Sequence, residues 1–156
     1  MKMHEHIDMK GRLTIQLRDA GDKIRNQCSV RNSIVLTGRD LVAKQFIDEA
    51  IDPVSHIAVG TGSTPVDAAA DSQLESELFR KEINPIDLTK DLTTTNDDKK
   101  KVMITAELDF NEGNGALTEA GLFNADSGGV MYNRVVYLPI NKTSDFKLTL
   151  IWEIIF

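Results

Sequence analysis

The chain has 156 residues, of which 41% are hydrophobic and 27% charged, so it can bury the core of one domain and is not of disordered composition. The formal net charge of −6 argues against nucleic acid as the main partner, because phosphate binding requires clustered lysine and arginine. The single cysteine excludes an internal disulfide, and no apolar run approaches about 20 residues, so no membrane span is predicted.

The N-terminal residues have mixed polar character. We predict a flexible arm over residues 1–11 and a single β-sandwich domain over residues 12–156. The arm lacks the apolar segment of a signal peptide, so we expect assembly in the cytoplasm without one. His4 and His6 alone cannot supply the three or four fixed ligands of a metal site, and no metal is predicted.

The first predicted elements of the domain are a hairpin and a helix. Apolar residues alternate on both sides of a turn-forming segment, which predicts a β-hairpin over residues 12–31, with Cys28 as a buried core thiol. Thr37 is a plausible N-cap for one helix over about residues 38–50, which is expected to cover part of the β core. Its apolar stripe consists of Leu41, Val42, Phe46, Ile47 and Ala50.

A glycine-rich segment, Gly60–Pro65, follows the short predicted strand Ser55–Val59. Its spacing fits neither the dinucleotide-binding pattern nor the P-loop pattern. We therefore interpret it as a tight structural turn and predict no nucleotide or other cofactor. Leu74 and Leu78 lie four residues apart, which predicts one or two helical turns within Asp71–Phe79.

The second half of the chain has turn signals every 8–12 residues or so, as in an antiparallel sandwich. A weak strand after Arg80 is broken at Pro85, and the lysines at 99–101 suggest a solvated hairpin tip. Clear strands are predicted over residues 102–110, 118–124, 130–137 and 144–156, with Pro139 in the last turn. One face of the last strand, which includes Trp152, is wholly apolar and is expected to face the core.

These patterns predict a mainly β fold, an antiparallel β-sandwich of about seven to nine strands with one helix packed on it. Few residues could carry catalysis. Only His56, of the three histidines, lies in a predicted structured segment, and no catalytic residue or enzymatic activity is predicted. Glu119 lies within the β region, where its carboxylate either faces solvent or pairs with Arg80 or Arg134 to fix the loops.

Seven segments spread over residues 12–156 carry a family resemblance. They are Asn32–Lys44, His56–Pro65, Leu74–Leu78, Leu117–Asn124, Asn133–Tyr137, Asn141–Thr143 and Leu148–Trp152. They resemble tail-associated structural proteins of bacteriophages, and similar domains of phage-derived contractile injection systems and tailocins. The resemblance implies a non-enzymatic subunit of a baseplate, a fibre attachment or a tail end, which functions in a virion or a phage-tail-like particle.

The resemblance also implies partners, and the candidate contact elements are the N-terminal arm, the Gly60–Pro65 loop and an exposed sheet edge. The partners are other tail or baseplate proteins and further copies of the chain, in a homo-oligomer of three- or six-fold symmetry. The alternative is a free-standing β-sandwich binding module, such as an adhesin or a carbohydrate binder. The structural or interface candidates are Gly60, Gly62, Pro65, Arg80, Glu119, Arg134 and Trp152.

Overall fold

The computed structural model describes residues 9–47 and 50–156. Within them, ten β-strands form two antiparallel five-stranded sheets that pack on a common core, together with one α-helix. The predicted mainly β sandwich with one helix is therefore confirmed. The helix of the described part is too short and too polar to cross a membrane.

In chain order the elements are β1 (Lys10–Arg18), β2 (Ile24–Arg31), β3 (Ser33–Ile34), α1 (Leu36–Phe46), β4 (His56–Gly60), β5 (Glu77–Glu82), β6 (Leu92–Thr94), β7 (Lys100–Leu108), β8 (Gly115–Phe123), β9 (Met131–Lys142) and β10 (Lys147–Ile155). Sheet A has the strand order β2-β1-β10-β7-β6, and sheet B the order β3-β9-β8-β4-β5. The strands β3 and β6 have two and three residues, too few for an alternating pattern to reveal them.

The alternation of apolar side chains explains how the two sheets meet. β10 is the central strand of sheet A, and its residue Trp152, which is fully buried, lies between Leu13 of β1 and Ile104 of β7. Cys28 is half-buried against the same core, and this burial raises the pKa of its thiol. The alternating face predicted for the terminal strand therefore forms the centre of the sandwich.

The boundary between the predicted arm and the domain differs from the prediction. Lys10 and Gly11, which we assigned to the arm, are the first residues of β1, where they pair with Ile155 and Ile154. Met9, also assigned to the arm, packs against the core beside the Tyr132 hydroxyl. Residues 1–8 of the predicted arm lie outside the described residues.

The helix begins earlier and ends earlier than predicted. Its N-cap is Val35, which has extended backbone and makes no side-chain capping bond, whereas Thr37 lies in the first turn and donates its hydroxyl to the Met131 carbonyl at 2.8 Å. Because the helix ends at Phe46, the second half of the predicted stripe does not reach the core. Phe46 is 91% exposed and Ile47 68%, and Ala50 is exposed beyond the helix. Leu41 is buried as predicted.

The segment after β4 is not helical. Leu74 is 4% exposed but Leu78 is 47% exposed, so the two do not share a face as the helical spacing predicted. The backbone N–H groups of Glu75 and Ser76 donate to a carboxylate instead of to helical carbonyls, and β5 has already begun at Glu77. β5 then ends at Glu82, before Pro85.

β9 continues through Pro139, where we predicted a turn. β3 pairs only with Asn133 and Arg134 of β9, so the rest of β9 has no ladder partner in the described residues on the side away from β8. A proline needs no ladder partner for its nitrogen and is tolerated at such an edge. The register with β8 also shifts here, and Leu138 is 86% exposed.

Candidate functional site

The connection between β4 and β5, residues 61–76, lies across the outer face of sheet B. We call it the 61–76 loop. Leu74 of this loop is buried in a small apolar cluster with Ala58, Phe123 and Met131, and Val66 packs against the cluster. Sheet B is therefore covered on both faces, by sheet A on the inside and by the 61–76 loop on the outside.

The carboxylate of Glu119, on the central strand β8, is fully buried beneath this loop. Its Oε1 accepts hydrogen bonds from the backbone N–H of Gly62 at 3.0 Å and of Ser76 at 2.7 Å. Its Oε2 accepts from the backbone N–H of Glu75 at 3.0 Å. One side chain of the sheet thus holds both ends of the loop.

Arg134, on the neighbouring strand β9, completes the charge pair. Its Nε donates to Glu119 Oε2 at 2.9 Å, and its side chain is only 2% exposed. Its Nη1 donates to the Thr64 carbonyl at 3.0 Å and to Asp71 Oδ2 at 3.1 Å, both in the loop. The ion pair that the sequence left open between Arg80 and Arg134 therefore forms with Arg134.

A buried ion pair is tolerated only when hydrogen bonds replace the lost hydration. The Glu119 carboxylate has four donors, three from the backbone and one from Arg134. Removing either charge would leave the other buried, which is far more costly than losing a surface pair. The pair is thus suited to fixing one conformation of the loop.

Glu75 reinforces the loop from its exposed side. Its carboxylate accepts from the Thr64 backbone N–H and from the Thr64 hydroxyl, each at 2.8 Å. The backbone bond from Thr64 is the largest cause that lowers the pKa of Glu75, followed by the hydroxyl bond, and the charge of Arg134 adds to it. Pro65, one of the predicted contact residues, follows Thr64 and is exposed.

We call Glu119 and Arg134, with their hydrogen bonds to the 61–76 loop, the anchor. Two further side chains of the sheet form hydrogen bonds beside it. The Thr118 hydroxyl donates to the Gly62 carbonyl at 2.7 Å, and the Tyr137 hydroxyl donates to the Glu119 carbonyl at 3.1 Å. Burial, more than the nearby Cys28 and Glu119, raises the pKa of Tyr137 far above its usual value, so this hydroxyl stays protonated as a donor.

Gly60 and Gly62 are needed for close approach, not for a tight turn as the sequence suggested. A Cβ at Gly62 would lie 2.6 Å from Glu119 Oε1, and one at Gly60 would lie 2.3 Å from the Ser76 carbonyl oxygen. Neither glycine has the left-handed backbone that would require the residue on conformational grounds. The two glycines instead leave the space into which the Glu119 carboxylate fits.

Arg80 has a separate role on the same face of sheet B. Its Nη1 donates to the carbonyls of Ala125 and Gly128, each at 2.9 Å, and its guanidinium lies 3.8 Å from the centre of the Phe123 ring. It also pairs with Glu77 at 2.6 Å. Arg80 thus fixes the β8–β9 turn, as Arg134 fixes the 61–76 loop.

The last predicted candidate, Trp152, lies apart from this site, in the core between the sheets. Its Nε1 donates to Asn32 Oδ1 at 2.7 Å. Sequence reasoning missed Thr64, Asp71 and Glu75, which complete the anchor. Their recognition required knowing that the 61–76 loop folds back over Glu119, and no local pattern contains that information.

The hydrogen bonds of the site fix the conformation of the 61–76 loop. His56, the sequence candidate for acid–base chemistry, is bound through Nδ1 to the neighbouring Ser55 hydroxyl at 2.8 Å. In residues 9–47 and 50–156, no three or more His, Cys, Asp or Glu side chains are grouped so that they could hold a metal ion.

Comparisons of the chain with protein-family models, curated proteins and solved structures found no match.

Proposed function

We propose that the protein is a non-enzymatic structural subunit of a phage tail or a phage-tail-like contractile injection particle, in which it acts through protein–protein assembly. It would belong to a baseplate, a fibre attachment or a tail end, and would assemble in the cytoplasm as a homo-oligomer of three- or six-fold symmetry. The observation that carries this proposal is the anchored 61–76 loop.

The anchor supports an assembly role because it makes a long irregular segment rigid. Loops that open over a substrate belong to the least stable parts of a protein. The 61–76 loop has the opposite design, with Glu119 bound to both of its ends and Arg134 bound to its middle at Thr64 and Asp71. A subunit that repeats one contact around an axis gains from such a preformed surface, since no ordering cost arises at assembly.

The resemblance supports the same proposal through particular residues. The resembling segments His56–Pro65, Leu117–Asn124 and Asn133–Tyr137 contain the glycines, Glu119 and Arg134 of the anchor. The resemblance to tail proteins therefore lies partly in the residues that fix the loop.

A second feature suggests where a neighbouring subunit could bind. Beyond Arg134, β9 has an open edge in the described residues, and it carries Leu138 and Pro139 on the surface. Open edges offer unpaired backbone groups to which a strand of another chain can be added. We propose a subunit contact along Leu138–Asn141 that is made by the exposed Leu138 side chain more than by backbone hydrogen bonds, because Pro139 has no N–H to donate.

The test is the mass of the purified protein by multi-angle light scattering, measured across protein and salt concentration. A closed oligomer of three or six copies is expected. A monomer at every concentration would argue against the homo-oligomer and favour the free-standing binding module. Electron microscopy of the oligomer then checks whether it forms a ring or hub, as a tail component requires.

A further inference from the structure

A second polar region lies away from the anchor, where β1, β2 and the first turn of α1 meet. It is a pocket of about 590 Å³ whose lining includes four cationic side chains, those of Lys10, Arg12, Arg31 and Arg39. We call it the basic pocket. Its lining has one acidic residue, Glu153, although the chain as a whole carries a net charge of −6.

The arginines of the basic pocket differ from the other arginines of the chain. The four outside the pocket, at positions 18, 25, 80 and 134, each form an ion pair with an aspartate or a glutamate. Arg12, Arg31 and Arg39 form no ion pair or side-chain hydrogen bond with the described part of the chain, and neither does Lys10. Glu153 pairs with Lys101 instead, at 3.8 Å. Glu153 also lies directly opposite Arg12 on β10, but it forms no ion pair with it. Within the described residues the pocket therefore has four cations against one carboxylate, which is shared with Lys101.

Two of these charges are placed where they repel each other. Arg12 and Arg31 lie directly opposite on the antiparallel strands β1 and β2, and both are exposed. Like charges at opposite positions of a strand pair destabilise it unless a counter-charge lies between them. Such a counter-charge would relieve the repulsion and accept hydrogen bonds from two planar guanidinium groups, which match the geometry of carboxylates.

The pocket also has a donor without an acceptor. The Asn32 side chain lies in its lining and accepts from Trp152 through Oδ1, but its buried Nδ2 has no hydrogen-bond partner in the described residues. Asn133 Nδ2 and Arg134 Nη2 are also buried without a partner among the described residues, so the assignment of a ligand rests on the charges of the pocket.

We propose that the basic pocket binds an acidic peptide segment of a partner protein. A peptide fits better than nucleic acid for two reasons. The net charge of −6 disfavours a long polyanion that would extend beyond the pocket. The pocket is also bordered by β2 and β3, the outermost strands of sheets A and B, whose free edges can bond to a peptide backbone. This inference is independent of the particle to which the chain belongs.

The experiment is a titration of a fluorescein-labelled hexaglutamate peptide, followed by fluorescence anisotropy at low and physiological salt. In the variant Arg12→Gln/Arg31→Gln we expect an affinity loss of about tenfold or more, because two charge-assisted contacts disappear. The matched control is Arg25→Gln/Lys90→Gln, which removes two exposed cations outside the pocket and should change the affinity less than about twofold.

Thermal unfolding of the same variants gives a second measure. Removing the opposed charges should leave the melting temperature of Arg12→Gln/Arg31→Gln unchanged or raise it. A lower melting temperature would mean that the two arginines are structural, which would overturn the proposal. An equal affinity loss in the control variant would show that the peptide binds through non-specific charge attraction. That result would also overturn the proposal.

Two other probes distinguish the occupant. Tighter binding of a dodecamer of single-stranded thymidine than of hexaglutamate would assign the pocket to nucleic acid. The chain's own first eight residues contain Glu5 and Asp8. If hexaglutamate bound only to a variant that lacks residues 1–8, the pocket would belong to that segment, and the proposed partner would be ruled out.

Discussion

At the scale of single residues, Glu119 determines the conformation of the outer layer. Its carboxylate is fully buried, and four donors bind to it. Because three of these donors belong to the backbone of the 61–76 loop, the loop does not depend on its own side-chain packing alone. The contribution of the Glu119 carboxylate to stability can therefore be measured with a single substitution.

The first prediction concerns the variant Glu119→Gln. The substitution keeps the size of the side chain, but it leaves Arg134 buried without its closest anion and turns a donor toward backbone N–H groups. We expect a loss of about 3 kcal/mol in the free energy of unfolding, measured by urea denaturation. Hydrogen exchange of the Gly62 and Ser76 amides should accelerate more than exchange in sheet A.

The control is Lys90→Met, which breaks an exposed pair with Asp87 and should cost less than about 1 kcal/mol. Equal effects of the two substitutions would show that the buried pair does not anchor the loop.

The second prediction concerns pH and Glu75. Since the Thr64 hydrogen bonds hold the pKa of Glu75 below its usual value of 4.5, the folded state favours the carboxylate. The contribution of Glu75 to stability is therefore complete above pH 4.5 and is lost as the pH falls through the lower, folded-state pKa. In NMR spectra, the Thr64 amide resonance should titrate in that acidic range.

Glu75→Gln provides the reference for this pH dependence, because other carboxylates with lowered pKa values, such as Asp19 and Glu112, titrate in both proteins. The difference in stability between wild type and Glu75→Gln should shrink as the pH falls below 4.5. A difference that stays constant from neutral pH to pH 3 or so would contradict the assignment.

At the scale of elements, α1 is attached to the sandwich through its first turns. Leu41 is 2% exposed, whereas Phe46 at the other end is 91% exposed. The contact is tight near Gly38, where an added Cβ would lie 1.9 Å from the Tyr132 carbonyl oxygen. We therefore expect the C-terminal end of α1 to contribute little to the free energy of unfolding.

The third prediction follows from this asymmetry. Leu41→Ala removes a buried side chain and should cost about 2–5 kcal/mol in the free energy of unfolding. Phe46→Ser changes an exposed position and should stay within about 0.5 kcal/mol. Guanidinium denaturation of the two variants checks the contrast. A large loss for Phe46→Ser would indicate that the helix end packs against the protein in solution.

The elements also show what the sequence could determine. Alternation predicted the long strands, including the central position of Trp152, because burial on one face of a strand imposes a period of two. The sequence also predicted that Glu119 lies in the β region, with Arg80 and Arg134 as alternative partners for an ion pair. The end of α1 and the course of the 61–76 loop were not predictable, since both depend on contacts between residues distant in the chain.

Glycine was the most misleading signal. The segment Gly60–Pro65 has the composition of a turn, but Gly60 and Gly62 serve to admit the Glu119 carboxylate and the Ser76 carbonyl. Composition reports only that a small residue is required. Whether a backbone angle or a close neighbour requires it depends on the tertiary structure.

At the scale of the whole molecule, the two sheets differ in how they are covered. Sheet B is enclosed between sheet A and the 61–76 loop, with Leu74 and Phe123 buried on its outer side. Its exposed parts include the outermost strand β5 and the edge of β9 beyond Arg134, where Leu138 has no strand beside it in the described residues. A protein with one rigid, covered sheet and an open edge is suited to adding a neighbour at that edge.

The fourth prediction tests this edge as a subunit contact. Leu138→Glu replaces an exposed apolar side chain of the edge with a charge. If Leu138 is buried at the subunit contact, the substitution removes the roughly 1.5–3 kcal/mol that burial of an apolar side chain contributes to association. We expect the oligomer mass from light scattering to fall toward that of one chain, 17.3 kDa, at concentrations where the wild type is assembled. Leu88→Glu is the matched control, because Leu88 is also exposed, at 71%, but lies away from the strands. If both variants kept the wild-type mass, the contact would have to lie elsewhere, with the 61–76 loop as the remaining rigid surface. If both lowered it, the effect would come from added negative charge on an already acidic chain, and 0.5 M salt should then restore the mass by screening.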